Sequence, residues 1–187
     1  MNVLLLGPQG AGKGTQAARI AREYEIPHIA TGDMFRAAIA SDSELGRQVV
    51  PYLAEGRLVP DELTVSLIRE RLGQDDARDS FVLDGFPRNL TQAEALDEML
   101  AEIGRGLSVV LALQVPDAVA RERMLARGRD DDTPEVIDRR LADYHEQTKP
   151  LLEHYRTRGS FVPIHGDRPE NEVFAEIQEA LERAAVA

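Results

Sequence analysis

The sequence predicts an α/β protein in which five short parallel strands form one sheet flanked by helices, with a small all-helical insert. Three observations carry this reading. Short apolar runs alternate with amphipathic segments of helical period. The first run, Val3, Leu4, Leu5 and Leu6, passes straight into a glycine-rich loop and then a helical pattern. Between residues 31 and 72, helical patterns follow one another with no strand between them. A chain of 187 residues is enough for one domain with a sizeable core.

Taken in order, the first strand gives way to a helix over residues 16–24, and residues 26–30 form the second strand. Thr31-Gly32-Asp33 opens a helix that carries Met34, Phe35, Ala37 and Ile39. Residues 43–54 give another, which Pro51 should interrupt. Gly56-Arg57-Leu58-Val59-Pro60 is a turn. The helix over 61–72 then sets Leu63, Leu67 and Ile68 on one face. Residues 31–59 thus form a helical insert standing off the sheet edge. The third strand, 80–83, ends in the loop 84–88, and Thr91-Gln92-Ala93-Glu94 reads as a capping box for a helix to Ile103. Residues 107–115 are the fourth strand, and Pro116 and Asp117 start the next helix. Residues 128–132 break its pattern. Thr133 and Pro134 restart it as cap and first helical residue, running to about Tyr155 with a kink at Pro150. Residues 161–164 are the fifth strand, and 169–185 close the chain as a helix with Val173, Phe174, Ile177 and Leu181 inward.

Composition narrows the partners. With 33 acidic against 22 basic residues the net charge is −11, which argues against a nucleic-acid polymer or an anionic membrane. Any anion must meet local positive charge. The chain has no cysteine, so disulfides and thiolate metal sites are excluded and a reducing, cytoplasmic setting is expected. The N-terminal apolar run is too short for a signal-peptide core, and no apolar stretch approaches the roughly 20 residues of a membrane span.

The chemistry starts at Gly7-Pro8-Gln9-Gly10-Ala11-Gly12-Lys13-Gly14-Thr15. Glycines let successive backbone N–H groups turn inward, the following helix start adds its dipole, and Lys13 supplies a point charge for β and γ phosphates. The usual hydroxyl after the lysine is displaced by one place, because Gly14 precedes Thr15. In a parallel sheet the loops at the carboxyl ends of the strands converge, so residues 7–15, 31–36 and 84–88 should meet.

The Gly-Lys-Gly-Thr ending, with Thr31-Gly-Asp-Met-Phe-Arg36, Gly56-Arg-Leu-Val-Pro-Asp61 and Asp84-Gly-Phe-Pro-Arg-Asn-Leu-Thr-Gln92, resembles the nucleoside monophosphate kinases in order and spacing, short-lid adenylate kinases above all. The resemblance covers the whole chain. It implies a P-loop NTPase-type core (1–29, 60–126 and 134–187), an AMP-binding lobe (30–59) and a short lid (about 127–133). Gly10, Ala11, Gly12, Lys13, Gly14 and Thr15 would then cradle the ATP phosphates. Thr31, Arg36, Gly85, Phe86, Pro87, Arg88 and Gln92 would take AMP, with the backbone of Arg57, Leu58 and Val59 along its base.

Taken alone, Arg123, Arg127, Arg129 and Arg140 read as a salt-bridged surface, and Arg36 as a solvated charge. The resemblance assigns Arg123 and Arg127 to ATP's adenine and phosphates. It sets Arg129 and Arg140 between AMP and the transferred phosphoryl, and the turn ending in Arg168 beside the ATP adenine. Lys13, Arg88, Arg123, Arg129 and Arg140 would be the catalytic electrostatic groups. ATP and AMP bring roughly six negative charges, so several guanidiniums are physically required. Asp84, at the end of a buried strand, is either a turn cap or a carboxylate that holds Mg²⁺ or its waters, helped by Asp33. No zinc is expected, since the lid is short and cysteine-free. The activity implied is Mg²⁺-dependent, reversible phosphoryl transfer from ATP to AMP by a cytoplasmic monomer. The rivals are a UMP/CMP kinase of the same fold and a nucleotide-binding regulator without turnover.

Overall fold

In the computed structural model every strand is joined to the next through at least one helix, a connection that returns the chain over a sheet face and sets neighbouring strands parallel. Residues 1–158 and 161–186 are described. The strands are β1 (Asn2–Leu6), β2 (His28–Ala30), β3 (Phe81–Asp84), β4 (Val109–Gln114) and β5 (Phe161–His165). They form one sheet in the order β2-β3-β1-β4-β5, with every pairing parallel. Leu4 of the central strand faces Leu83 on one side and Val110 on the other.

The two-residue period of β1 divides the core. Leu4 and Leu6 join the layer under α4 (Asp61–Leu72), α5 (Leu90–Glu102) and α8 (Leu151–Arg156). Val3 and Leu5 join the layer under α1 (Lys13–Glu23) and α9 (Glu170–Val186). Both faces of the sheet are therefore covered, which is why its strands are continuous apolar runs. α2 (Thr31–Ala40) and α3 (Glu44–Ala54) pack on each other around Phe35, Val49 and Val59. α6 (Asp117–Arg127) and α7 (Pro134–Asp143) enclose Ala120, Met124, Ile137 and Leu141. Among the described residues no helix is long and apolar enough to cross a membrane.

Four local expectations need correction. Pro51 does not interrupt α3; it lies within a turn of the helix end, and its carbonyl still accepts the Glu55 N–H at 3.2 Å. The cap of α5 is two residues earlier than the Thr91 box: Asn89 accepts the Gln92 N–H at 2.9 Å, and the Gln92 side chain reaches back to the Arg88 N–H at 2.8 Å. The second strand begins at His28, leaving Ile26 in the core but outside the ladder. The single helix expected up to Tyr155 is three pieces, with a π-helical turn over Tyr144–Thr148 between α7 and α8. Pro150 has no N–H to give and its ring crowds the carbonyl four residues back, so the turn ahead of it widens.

Candidate active site

The phosphate loop runs from the end of β1 to the start of α1. Gly10 has φ +83°, and a Cβ there would stand 2.3 Å from the Ala120 carbonyl oxygen of α6. Gly12, with φ 93°, is the N-cap of α1. Both positions demand glycine, the first for contact as well as conformation. Lys13 turns back over the loop, donating from Nζ to the Gly7 and Pro8 carbonyls, each at 2.8 Å. Burial pulls its pKa down to about 8; Asp84 opposes the shift, and Arg88 and Arg127 add to it.

The end of β3 supplies the opposite wall. Burial pushes the Asp84 carboxyl up, but His28, Lys13 and Arg88 outweigh it and hold the group below the usual carboxylate range. His28 Nε2 stands 3.8 Å from Asp84 Oδ2. Arg88 is fixed from three directions: its Nε donates to the Gly85 carbonyl at 2.8 Å, its N–H to Gln92 Oε1 at 2.8 Å, and its carbonyl accepts from Thr148 Oγ1 at 2.7 Å. Thr31 Oγ1 donates to the same Gly85 oxygen at 2.9 Å. Burial lowers the Arg88 pKa, with Arg140 and Arg36 adding to the effect against Asp84.

Thr148 belongs to the π-helical turn and is buried. On the expectation that Arg88 takes the AMP phosphate, Thr148→Val, which keeps the shape and removes the hydroxyl, should weaken AMP binding by about three- to ten-fold, the size of one neutral hydrogen bond. Thr148→Ser should restore it. Calorimetric titration with AMP checks both, and equal affinity in the valine variant would show that the clamp does not position Arg88.

The segment between α6 and α7 gathers charge. Gly128, with φ 62°, ends α6, and Thr133 caps α7 by accepting the Val136 N–H. Arg127 meets Asp132 with two hydrogen bonds of 2.6 and 2.9 Å. Arg140 meets Asp132 at 2.8 Å and also pairs with Asp131. The Asp132 side chain is almost wholly buried between the two arginines. Burial pushes its pKa up, but hydrogen bonds and charge from Arg127 and Arg140 hold it below the usual range. Arg129 contributes only its main-chain N–H to Asp132, and its guanidinium has no hydrogen-bond or carboxylate partner among the described residues. Burial lowers its pKa, with Arg127 and Arg36 adding to the effect.

These walls enclose a cavity of about 800 Å³. The structure brings together Lys13 with its loop, Asp33, Arg36, Leu58, Asp84, Gly85, Pro87 and Arg88. It also brings in Arg123, Arg127, Arg129, Arg140 and Arg168. Thr31, Arg57, Val59 and Gln92 line a smaller adjoining cavity of about 90 Å³. Phe86 lines neither; it is fully buried in the core under α5. The Arg57 guanidinium stacks on Tyr52 and pairs with Glu55. Arg123 donates to the Gly166 carbonyl at 2.8 Å, tying α6 to the turn after β5. The Asp33 carboxylate is paired with Arg36.

Sequence reasoning missed Gln16, His28, Asp143, Tyr144 and Thr148, all of which line the large cavity. Gln16 lies one place beyond the glycine-rich motif, where its position signals only helix. Tyr144 and Thr148 lie in the π-helical turn, which changes which residues face inward along a stretch whose pattern signals one regular helix, and Asp143 closes α7 just before it.

Sheet order, phosphate loop and charge ring together define a phosphate-loop protein built to hold nucleotides. A family model described as adenylate kinase matches residues 5–160. The chain is 49% identical to the adenylate kinase of Cyanothece sp. over 185 residues, covering 97% of this chain and 95% of the relative. It is 48% identical to the adenylate kinase of Thermobifida fusca over 189 residues, covering 99% and 100%. With the adenylate kinase of Agathobacter rectalis the identity is 43% over 208 positions, covering 95% and 97%; that relative carries residues this chain lacks. The chain belongs to the adenylate kinase family.

Proposed function

We propose that the protein catalyses reversible, Mg²⁺-dependent transfer of the terminal phosphoryl group of ATP to AMP, giving two ADP. The observation that carries this is the meeting of Lys13 with Arg36, Arg88, Arg123, Arg127, Arg129 and Arg140 around one cavity of about 800 Å³. An acidic chain has concentrated positive charge where two nucleotides would bring phosphates end to end.

In this reading the loop N–H groups and Lys13 hold the ATP phosphates, with Arg123, Arg127 and Arg168 on the same nucleotide. Arg36 and Arg88 hold the AMP phosphate. Arg129 and Arg140 bridge toward the transferring group, and Thr31, Leu58, Val59 and Gln92 surround the AMP base. The protein needs no nucleophile of its own: it aligns acceptor and donor oxygens, neutralises charge and excludes water.

The residues fit a metal that arrives on the nucleotide. Asp84 lines the cavity and is kept ionised by its cationic neighbours. Among the described residues no cluster of three or more acidic, histidine or cysteine side chains could hold an ion directly. That suits a cation that keeps several waters and touches protein through one or two carboxylates. Asp84, with Asp33, would hold it through its waters; bound with ATP, Mg²⁺ would supply charge neutralisation at the phosphates. The protein is read as a cytoplasmic monomer with a short lid over residues 127–133 and a mobile AMP-binding lobe over 30–59.

The test is an ADP-release assay with AMP, UMP, CMP and GMP in turn at equal subsaturating concentration. AMP should be phosphorylated far faster than the others. Thr31→Ala combined with Gln92→Asn should narrow the gap, because each buried polar group left unmet by a wrong base costs about 1 to 3 kcal/mol. Faster turnover of UMP or CMP would replace this reading with a pyrimidine nucleotide kinase, and no ADP from any acceptor would leave a regulator.

A further inference from the structure

The Gln92 side chain is 2% exposed, yet it lines the smaller cavity together with Thr31, Leu58 and Val59. Its amide is held from both ends. Oε1 accepts the Arg88 N–H at 2.8 Å, and Nε2 donates to Asp61 Oδ1 at 2.8 Å. The same Asp61 oxygen accepts Asn89 Nδ2 at 2.9 Å, and Asn89 Oδ1 in turn accepts the Gln92 N–H. An ionised carboxylate can only accept, and a backbone N–H can only donate, so both neighbours demand the same orientation of the amide. Asp61 opens α4, directly after the turn that lines the cavity. It lines neither cavity itself.

A primary amide has two N–H groups and two oxygen lone pairs. With one of each committed to the fold, one N–H and one lone pair remain. Adenine shows a donor at N6 beside the acceptor N1. Hypoxanthine and guanine show an acceptor at O6 beside a donor at N1, the reverse order. An amide free to turn over could serve either kind of purine, whereas a locked amide serves one.

We propose that Asp61 is a specificity-positioning residue: by locking the Gln92 amide in one orientation it makes the acceptor site select adenine over 6-oxopurines. The proposal rests on the reading above that Gln92 meets the acceptor's base. Asp61 does so without touching the nucleotide.

The experiment compares kcat/KM for AMP with that for inosine monophosphate in the unaltered protein and in Asp61→Ala, Asp61→Asn and Gln92→Ala. The two acceptors are measured on one preparation, so any unfolded fraction cancels from the ratio. Asp61→Ala should lower the AMP preference by about ten-fold, the size of one hydrogen bond to a charged acceptor. Asp61→Asn, which keeps an accepting oxygen, should restore most of it. A purely structural role would reduce both acceptors in proportion and leave the ratio unmoved, and that result would overturn the proposal. Should Asp61→Ala fail to fold, Asp61→Ser, a residue well tolerated at helix starts, is measured in the same way. If Gln92→Ala destroys the preference while Asp61→Ala does not, the positioning role fails and the base-contact reading stands. If neither changes it, the base-contact reading fails as well.

Discussion

Lys13→Met should lower turnover by at least about 10²-fold while leaving the protein folded, because in the proposed mechanism the ammonium serves charge that develops in transfer and not the architecture around it. Its two hydrogen bonds go to loop carbonyls, and burial has already pulled its pKa down to about 8. A lysine that loses its proton more readily in the folded chain than in the unfolded one weakens the fold while it is charged. Below about pH 8 that cost is fully present; between there and the ordinary lysine value near 10.5 the unfolded chain holds the extra proton and stability from this group rises with pH. Lys13→Met should therefore melt no lower than the unaltered protein at neutral pH, as scanning calorimetry would report.

The same shift sets an activity profile. In the free protein the charge disappears as pH rises through about 8, so kcat/KM for ATP should fall along an alkaline limb near that value. Bound phosphates stabilise the ammonium, so kcat should hold to higher pH. Lys13→Arg should shift the kcat/KM limb upward. Near-normal turnover in Lys13→Met would mean that the loop does not hold the donor phosphates.

The parts of this molecule legible in the sequence are those whose causes are local. Val3, Leu4, Leu5 and Leu6 are apolar on both faces because both faces are covered, and the glycines after them mark a loop that no other residue could form against Ala120. Gly128 and Thr133 announced the end of one helix and the start of the next. What could not be read depends on partners far away in the chain. Asn89 and Thr91 are both plausible caps, and Asp61, bonded to Asn89 and Gln92 across the fold, accompanies the Asn89 frame. The π-helical turn places the Thr148 hydroxyl on the Arg88 carbonyl, a contact that spans 60 residues. The arginines were legible as a set, but their division of labour was not. Arg127 and Arg140 are matched by acidic residues of the intervening loop, and Arg129 is left over.

That division predicts different outcomes for two neighbouring arginines. Arg129→Ala should cut kcat by about 10³-fold, in the range for an arginine that stabilises the transferring phosphoryl group, with a much smaller change in AMP affinity. Its guanidinium has no hydrogen-bond or ion-pair partner among the described residues, and burial together with repulsion from Arg127 and Arg36 outweighs the weaker attraction of Asp132 and Asp33. Removing it relieves repulsion and breaks no side-chain pair, so the melting temperature should hold or rise. Arg140→Ala should lose activity and also melt lower, since Arg140 is buried and its removal strips the enclosed Asp132 carboxylate of one of its two cationic partners. Steady-state kinetics with AMP varied, alongside calorimetry of both variants, separates the two roles. If Arg129→Ala kept its turnover, the guanidinium would belong to the solvated surface; if it melted as low as Arg140→Ala, it would be part of the ion-pair network that holds the segment between α6 and α7 together.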